Sequence, residues 1–220
     1  DNFLHNRQRL QDFCEFIRQK ELDKEFIAVG NAEFVAGNPD VMSELREAGL
    51  KALLVGFEFV TNEELNAVKK NASLEDNEQT IEICRELDID LFALFIIDPE
   101  WHHADFRRLA KYLRDHYIPF ALFSTLTVFP GTELAKLRPD LIMKKTPGWR
   151  YDLLRLHQKP RHMLRFQFYL WLFYLYMIPG KKFATLQKFK QRYGVAGILH
   201  HSLKSLYTGL EYLIKLVIWN

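Results

Sequence analysis

Carboxylates, hydroxyls, thiols and imidazoles are the groups in this chain that could do chemistry. Glu58 lies inside an apolar run, Leu50–Phe59, with KALLVGFEF at its centre. A carboxylate there is costly unless paired or bonded, so Glu58 is either a functional acid or a structural partner. Asp98 precedes Pro99 at the end of another apolar run and either serves a site or begins a turn. Thr125 and Thr127 share one face of the run from Pro119 to Val128, as site hydroxyls or as β-branched filler. Cys14 and Cys84 stand 70 residues apart. That excludes a disulfide framework and any zinc or iron–sulfur site built from clustered Cys. Of the eight histidines, two pairs are adjacent, His102-His103 and His200-His201. Neighbours diverge on a helix and no second ligand follows at metal spacing, so solvent-facing or helix-start roles are expected.

The elements that must position these groups alternate. Leu10, Phe13, Cys14 and Ile17 recur at i, i+3, i+4 and i+7, one apolar helix face over residues 5–20, with Cys14 a core side chain. Phe26–Val29 is a short apolar run closed by Gly30. Asn38-Pro39 reads as an N-cap and first helical position, Val41, Met42, Leu45 and Ala48 as the buried face, and Gly49 as the stop. Leu50–Phe59 and Ile89–Ile97 are near-continuous apolar runs, the pattern of parallel strands buried on both faces. Thr61 with Glu64, and Ser73 with Asp76, have capping-box spacing. Phe106, Leu109, Ala110 and Leu113 form a further helical face, and Pro119–Val128 a further strand. Four strand segments starting near 26, 50, 89 and 118 thus alternate with helices, an α/β fold of parallel strands with right-handed crossovers. An open doubly wound sheet and part of a barrel both fit. In either, chemistry belongs at the C-terminal strand ends: Gly30-Asn31, Gly56–Phe59, Asp98-Pro99 and Thr125–Thr132. No glycine-rich phosphate loop occurs there, which removes the nucleotide fingerprints.

The chain has 220 residues, enough to bury a core, and its 10 Gly and 8 Pro are too few for a disordered or fibrous chain. Its net charge of +2 divides unevenly. Residues 1–135 carry 14 Lys/Arg against 25 Asp/Glu, a balance of −11, and residues 136–220 carry 16 against 3, a balance of +13. Such a split implies units with different surroundings, with a boundary near Arg138–Gly148. The expected organisation is strands and helices over 1–137, a linking segment over 138–162 and a basic, aromatic helical tail over 163–220. MLRFQFYLWLFYLYMI, residues 163–178, is too short for a typical span of roughly 20 residues. It is a buried helix, or an interfacial one with Tyr169, Trp171, Tyr174 and Tyr176 beside Lys181, Lys182, Lys188, Lys190 and Arg192. Leu199, Leu203, Leu206, Leu210, Leu213 and Val217 form a packing seam of a later helix, for the protein itself or for a partner helix. Anionic lipid suits the basic tail better than nucleic acid, because no nucleic-acid motif accompanies the charge.

The opening DNF segment, NAEFVAGNPDVMSELREAGLKALLVGFEF, ELNAVKKNASLEDNEQTIEICRELDID, FALFIIDPEWHHADFRRLAKYL and LTVFPGTEL, in that order, resemble the later part of a radical S-adenosylmethionine barrel. More narrowly the chain resembles the cobalamin-binding branch of that superfamily, through about residue 135. The resemblance continues more weakly through Trp149–Met163.

That resemblance implies a partial (β/α) barrel followed by an all-α region. It also implies a parent enzyme, a cobalamin-dependent methyltransferase or related oxidoreductase. In this superfamily a CxxxCxxC loop binds a [4Fe–4S] cluster whose open iron is chelated by S-adenosylmethionine, and reduction yields a 5′-deoxyadenosyl radical. An upstream domain carries the corrinoid, and the cofactors supply the difficult chemistry. This chain has no CxxxCxxC. It is therefore expected to be a fragment, inactive alone, whose cluster loop and any cobalamin domain lie upstream. By the resemblance, Gly56 and Glu58 match a strand-end G-x-E motif whose carboxylate lies beside S-adenosylmethionine. Asn31 stands where many relatives have Arg, and lacks the bidentate bond to a carboxylate. Ile97 and Asp98 close the strand where adenine packs. Thr127 to Thr132 match a TP-x-PGT turn in which Val128 replaces the first Pro. The resemblance implies the rest of its own chain and a small-molecule substrate as partners. The basic aromatic tail adds an anionic membrane surface, a lipid-like substrate if the parent acts there, and the alternative of a non-catalytic membrane-peripheral binding module. Cytoplasmic localisation is expected because reduced clusters need a reducing compartment, with the tail as a means of peripheral membrane contact.

Overall fold

The computed structural model describes residues 3–67, 73–118, 120–138, 151–178, 194–196, 207, 210 and 214. They fall into two compact units that interleave along the chain. The first comprises Asp1–Phe95 and Tyr112–Leu122, the second Ile96–Lys111 and Phe123–Asn220.

The chain order is α1 (Arg7–Gln19), β1 (Phe26–Gly30), α2 (Ala32–Gly37), α3 (Pro39–Glu47), β2 (Leu50–Glu58), α4 (Asn62–Ala67) and α5 (Leu74–Glu86). After these come β3 (Asp90–Ile97), α6 (His103–Asp115), β4 (Phe120–Thr125), α7 (Glu133–Leu137) and α8 (Arg165–Met177). The four strands form one parallel sheet in the order β1-β2-β3-β4. Spatial order equals chain order, with no reversal. Right-handed crossovers then put every connecting helix on the same side. A doubly wound sheet would reverse at a switch point within a comparable run of strands.

The first unit shows why strands follow helices so closely. α1, α5 and α6 end in the same motif. Glu21, Asp88 and Tyr117 adopt positive φ and donate to the carbonyls of Arg18, Arg85 and Arg114, while Leu22, Ile89 and Ile118 donate to Ile17, Cys84 and Leu113. These bonds satisfy helix-end carbonyls and turn the chain directly toward the next strand. Gly49 does the same after α3 at φ 109, and there a Cβ would collide with the Lys24 carbonyl oxygen. The start of α5 has the expected capping box, Ser73 and Asp76 each bonding the other's backbone N–H. At Thr61 only half forms: its hydroxyl accepts from the Glu64 N–H but donates to the Glu64 carboxylate. Asn38 precedes α3 as expected, yet its side chain caps nothing and instead donates to the Phe34 carbonyl.

Within this unit the two faces of the sheet differ. Leu53, Val55, Phe57, Leu91, Ala93 and Phe95 are buried. Phe57 meets Phe95 edge to face at 5.8 Å, and Phe95 meets Tyr112 of α6 at 6.4 Å. On the other face Ile27 and Val29 are exposed by 66% and 46%, and Leu54, Phe92, Leu94 and Phe120 are half-buried. Phe92 and Phe120 stack there at 4.6 Å.

The second unit is built around aromatic residues. Phe106 packs on Trp101, Phe168 and Trp171 at 5.3, 5.5 and 5.4 Å. β4 ends earlier than its apolar run, at Thr125, because the chain leaves the ladder there. Thr125 N–H donates to Leu153, and the next amide, Leu126, donates to the Ile97 carbonyl. α8 buries Phe168, Tyr169, Leu172 and Leu175. Tyr169 accepts the Leu156 N–H, and Tyr176 accepts the Phe123 N–H. The basic cluster from Lys181 to Arg192, and Leu199, Leu203, Leu206, Leu213 and Val217, lie outside the described residues; Leu210 is helical and exposed. Among the described residues no helix is long and apolar enough to cross a membrane.

Candidate functional site

In the first unit the candidate residues sit at the C-terminal ends of β1 and β2. β1 ends at Gly30, and Asn31 follows as N-cap of α2, its Oδ1 accepting the Phe34 N–H at 2.8 Å. That short helix was not foreseen, although Asn followed by Ala-Glu-Phe is a helix-start signal. Asn31 therefore has a structural use, and its side-chain oxygen is engaged in it.

β2 ends at Glu58, where the backbone departs from ladder geometry. The register with β3 shifts between Gly56 and Glu58. Glu58 has φ 63, and the Phe59 N–H donates to the Phe57 carbonyl at 2.8 Å. An i to i+2 bond across a residue of positive φ is a γ-turn of the rare, strained kind. Of the four other non-glycine residues with positive φ among the described residues, Glu21, Asp88 and Tyr117 end helices, and Leu153, in the second unit, offers its carbonyl to the Thr125 N–H and hydroxyl. Glu58 ends no helix. Strain of this kind collects at ligand clamps and active sites. Glu58 is half-buried, and Gly56 two residues before it adds no side chain to the same face.

The residue that sequence reasoning missed is Asn77. It lies fully buried on α5, and its Nδ2 donates to the Phe57 carbonyl at 3.4 Å, the same carbonyl that closes the γ-turn. Thr80, also fully buried, donates to the Ala32 carbonyl at 3.3 Å. The available signal was an amide on the apolar stripe that continues through Ile81 and Cys84.

In the second unit three candidates are placed. Ile97 is fully buried and its carbonyl accepts the Leu126 N–H. Asp98 begins a turn: its Oδ1 accepts the Glu100 N–H at 2.8 Å, and its carbonyl accepts the Trp101 N–H. Burial pushes its carboxyl up, against the lowering effect of the Glu100 N–H. The Thr127 hydroxyl donates to the Thr125 carbonyl at 3.0 Å. The Thr125 hydroxyl lies 2.9 Å from the Arg155 carbonyl and 3.2 Å from that of Leu153. These hydroxyls hold the end of β4 to the following segment. His103 accepts the indole N–H of Trp171 at 2.7 Å, and His102 stacks on His162 at 3.6 Å.

The fit of an iron–sulfur cluster can be tested on the thiols. Cys14 and Cys84 are both buried, and burial pushes both thiols up, Cys84 to about 12. Cluster ligands must be thiolates, so the residues of this chain do not fit a cluster. Glu58 and Gly56 do fit S-adenosylmethionine. An ionised carboxylate accepts from ribose hydroxyls or an ammonium, and glycine lets a ligand approach the backbone.

No protein-family model matches the chain. A curated relative, the bacteriochlorophyllide d C-8(2)-methyltransferase of Chlorobaculum tepidum, is 25% identical over 137 residues, 61% of this chain and 30% of the relative. The chain thus spans less than a third of that relative's length. Among solved structures it is similar to OxsB, a cobalamin-dependent S-adenosylmethionine radical enzyme, with aqua-cobalamin and S-adenosylmethionine bound. That likeness has a TM-score of 0.48 at 17% identity and covers 64% of this chain and 21% of that one. It is also similar to the radical S-adenosylmethionine methyltransferase TsrM of Kitasatospora setae, with cobalamin and a [4Fe–4S] cluster bound. There the TM-score is 0.48 at 17% identity, over 64% of this chain and 29% of that one.

Proposed function

We propose that this chain is part of a cobalamin-dependent radical S-adenosylmethionine enzyme of the methyltransferase kind, in which Glu58 contacts S-adenosylmethionine. The observation that carries the reading is the strained turn at Glu58, at the C-terminal end of a parallel strand and two residues after Gly56. The similarity to a methyltransferase over 61% of the chain supports it. S-adenosylmethionine, when bound in such enzymes, supplies a methyl group or an adenosyl radical. The chain's own part is to accept hydrogen bonds at the Glu58 carboxylate and to keep the strand end open at Gly56. The cluster would be held by another part of the same polypeptide, because this chain lacks the thiolates, and the reading places cobalamin in a further domain. An apolar small molecule is the proposed substrate class. The relative's name, a bacteriochlorophyllide d methyltransferase, and the half-buried apolar face of Leu54, Phe92, Leu94 and Phe120 support it.

The test is to sequence the gene upstream of Asp1 and express the whole reading frame. The expected result is an in-frame CxxxCxxC and, after reconstitution with iron and sulfide and reduction, conversion of S-adenosylmethionine to 5′-deoxyadenosine or S-adenosylhomocysteine. A frame without those cysteines contradicts the proposal.

A second reading concerns α8. Its exposed residues Phe166, Leu170, Tyr174 and Met177 lie opposite its buried stripe, and the helix has no acidic residue. The sequence around it is basic: residues 136–220 carry 16 Lys/Arg against 3 Asp/Glu. Exposed aromatic and aliphatic side chains next to a basic stretch suit the interface of an anionic bilayer. Co-sedimentation with phosphatidylglycerol vesicles, lost in Leu170→Asp and weakened by salt, is the expected outcome. Equal binding to phosphatidylcholine vesicles, or none to either, contradicts it.

A further inference from the structure

Asn77 is buried with one end of its amide engaged and the other without a hydrogen-bond partner among the described residues. Its Oδ1 is the orphan; its Nδ2 donates to Phe57. A buried polar atom left unpaired is destabilising, and an apolar side chain on the Ile81–Cys84 stripe would avoid it. The amide therefore earns its place through its donor, and the acceptor of that donor is informative. The Phe57 carbonyl belongs to the peptide joining Phe57 to Glu58. Its orientation sets φ of Glu58, and it also accepts the Phe59 N–H that closes the turn. Two donors arriving from different elements, α5 and the strand end, over-determine the plane of that peptide. A strained backbone persists only where its surroundings fix it in this way.

We propose that Asn77 is a positioning residue: it clamps the Phe57 carbonyl and so holds Glu58 in the γ-turn that presents its carboxylate. This deepens the reading of Glu58 as the S-adenosylmethionine contact and rests on it for its functional consequence, while its geometric claim stands alone. Thr80, one helical turn further along α5, ties the same helix to the Ala32 carbonyl at the start of α2. α5 thereby grips the ends of both β1 and β2. The side chain that touches the ligand is Glu58; Asn77 acts through it.

The experiment uses the full chain with Asn77→Leu, which removes both amide functions and suits the apolar stripe. Hydrogen exchange of the Phe59 amide is followed by NMR beside amides in the middle of β2. The expected result is exchange at Phe59 at least about 10-fold faster, with mid-strand amides unchanged. The functional arm compares S-adenosylmethionine affinity in Asn77→Leu, Glu58→Gly and the double variant. A loss of about 10-fold in the first, with no further loss when added to the second, is expected. Unchanged Phe59 exchange in a folded Asn77→Leu chain overturns the proposal. So does an affinity loss of the same size in the Glu58→Gly background. If Asn77→Leu does not fold, the unmodified chain decides. Slowly exchanging Asn77 side-chain amide protons, with cross-relaxation to the Phe57–Phe59 backbone, support the clamp, and rapid exchange overturns it. Absence of any S-adenosylmethionine binding sinks the reading of Glu58 and leaves the exchange result to judge Asn77.

Discussion

The Phe59 N–H reaches back to the Phe57 carbonyl at 2.8 Å, and the residue spanned is Glu58 at φ 63. A non-glycine residue in this region is disfavoured by its own Cβ. The turn is a local cost, and the proposed contact of the carboxylate with S-adenosylmethionine would account for it. Stability and ligand contact should therefore move in opposite directions at this residue.

Glu58→Gly removes the Cβ conflict and should raise the unfolding free energy by up to about 1 kcal/mol, net of glycine's larger unfolded-state entropy. Urea denaturation measures this. A destabilised Glu58→Gly chain would mean that the side chain, and not the turn, is the structural element.

Gly49→Ala should be far worse. The φ of 109 and the collision with the Lys24 carbonyl oxygen leave no room for a methyl group. A loss above about 2 kcal/mol is expected by the same denaturation. Gly131, also at positive φ but with nothing near its absent Cβ, should lose less when changed to Ala.

Much of the fold could be read in advance because the apolar runs are long and sharply punctuated. Phe26–Val29, Leu50–Phe59 and Ile89–Ile97 became β1, β2 and β3 with shifts of one residue at their ends. The parallel pairing of β1 with β2 and of β2 with β3 followed from alternation with helices. β4 stopped three residues short of its apolar run, where the Thr125 N–H turns to the Leu153 carbonyl. Such long-range partners leave no local pattern. The site was legible only in part. Glu58 stood out as a carboxylate in an apolar run, but its φ and the Asn77 clamp depend on residues 20 positions apart meeting in space. Asp98 and Asn31 matched strand ends, and their side chains turned out to be engaged in a turn and a helix cap.

Thr125→Val keeps the shape and removes the hydroxyl that lies between the Leu153 and Arg155 carbonyls. The Leu153 carbonyl keeps the Thr125 N–H, whereas that of Arg155 loses this donor. A loss of about 1–2 kcal/mol is expected. No change would show that water replaces the hydroxyl without cost.

Cys84 gives a signed pH dependence. Its folded thiol is pushed up to about 12 by burial, above the ordinary value of 9.0. Between those pH values the unfolded chain loses the proton and the folded chain keeps it, so stability falls as pH rises. The limiting slope is about 1.4 kcal/mol per pH unit for one proton. The difference between the unmodified chain and Cys84→Ala should therefore narrow from pH 9 to pH 11. A constant difference contradicts burial as the cause. Below pH 9 neither thiol should react with an aromatic disulfide reagent unless the chain unfolds.

The central claim is that the end of β2 meets S-adenosylmethionine through Glu58. Titration of the nitrogen-15-labelled chain with S-adenosylmethionine, followed by NMR, tests it most directly. The account predicts saturable shifts centred on Gly56 to Phe59 and their loss in Glu58→Gln. Shifts centred elsewhere, none at all, or an unaltered response in Glu58→Gln would contradict it.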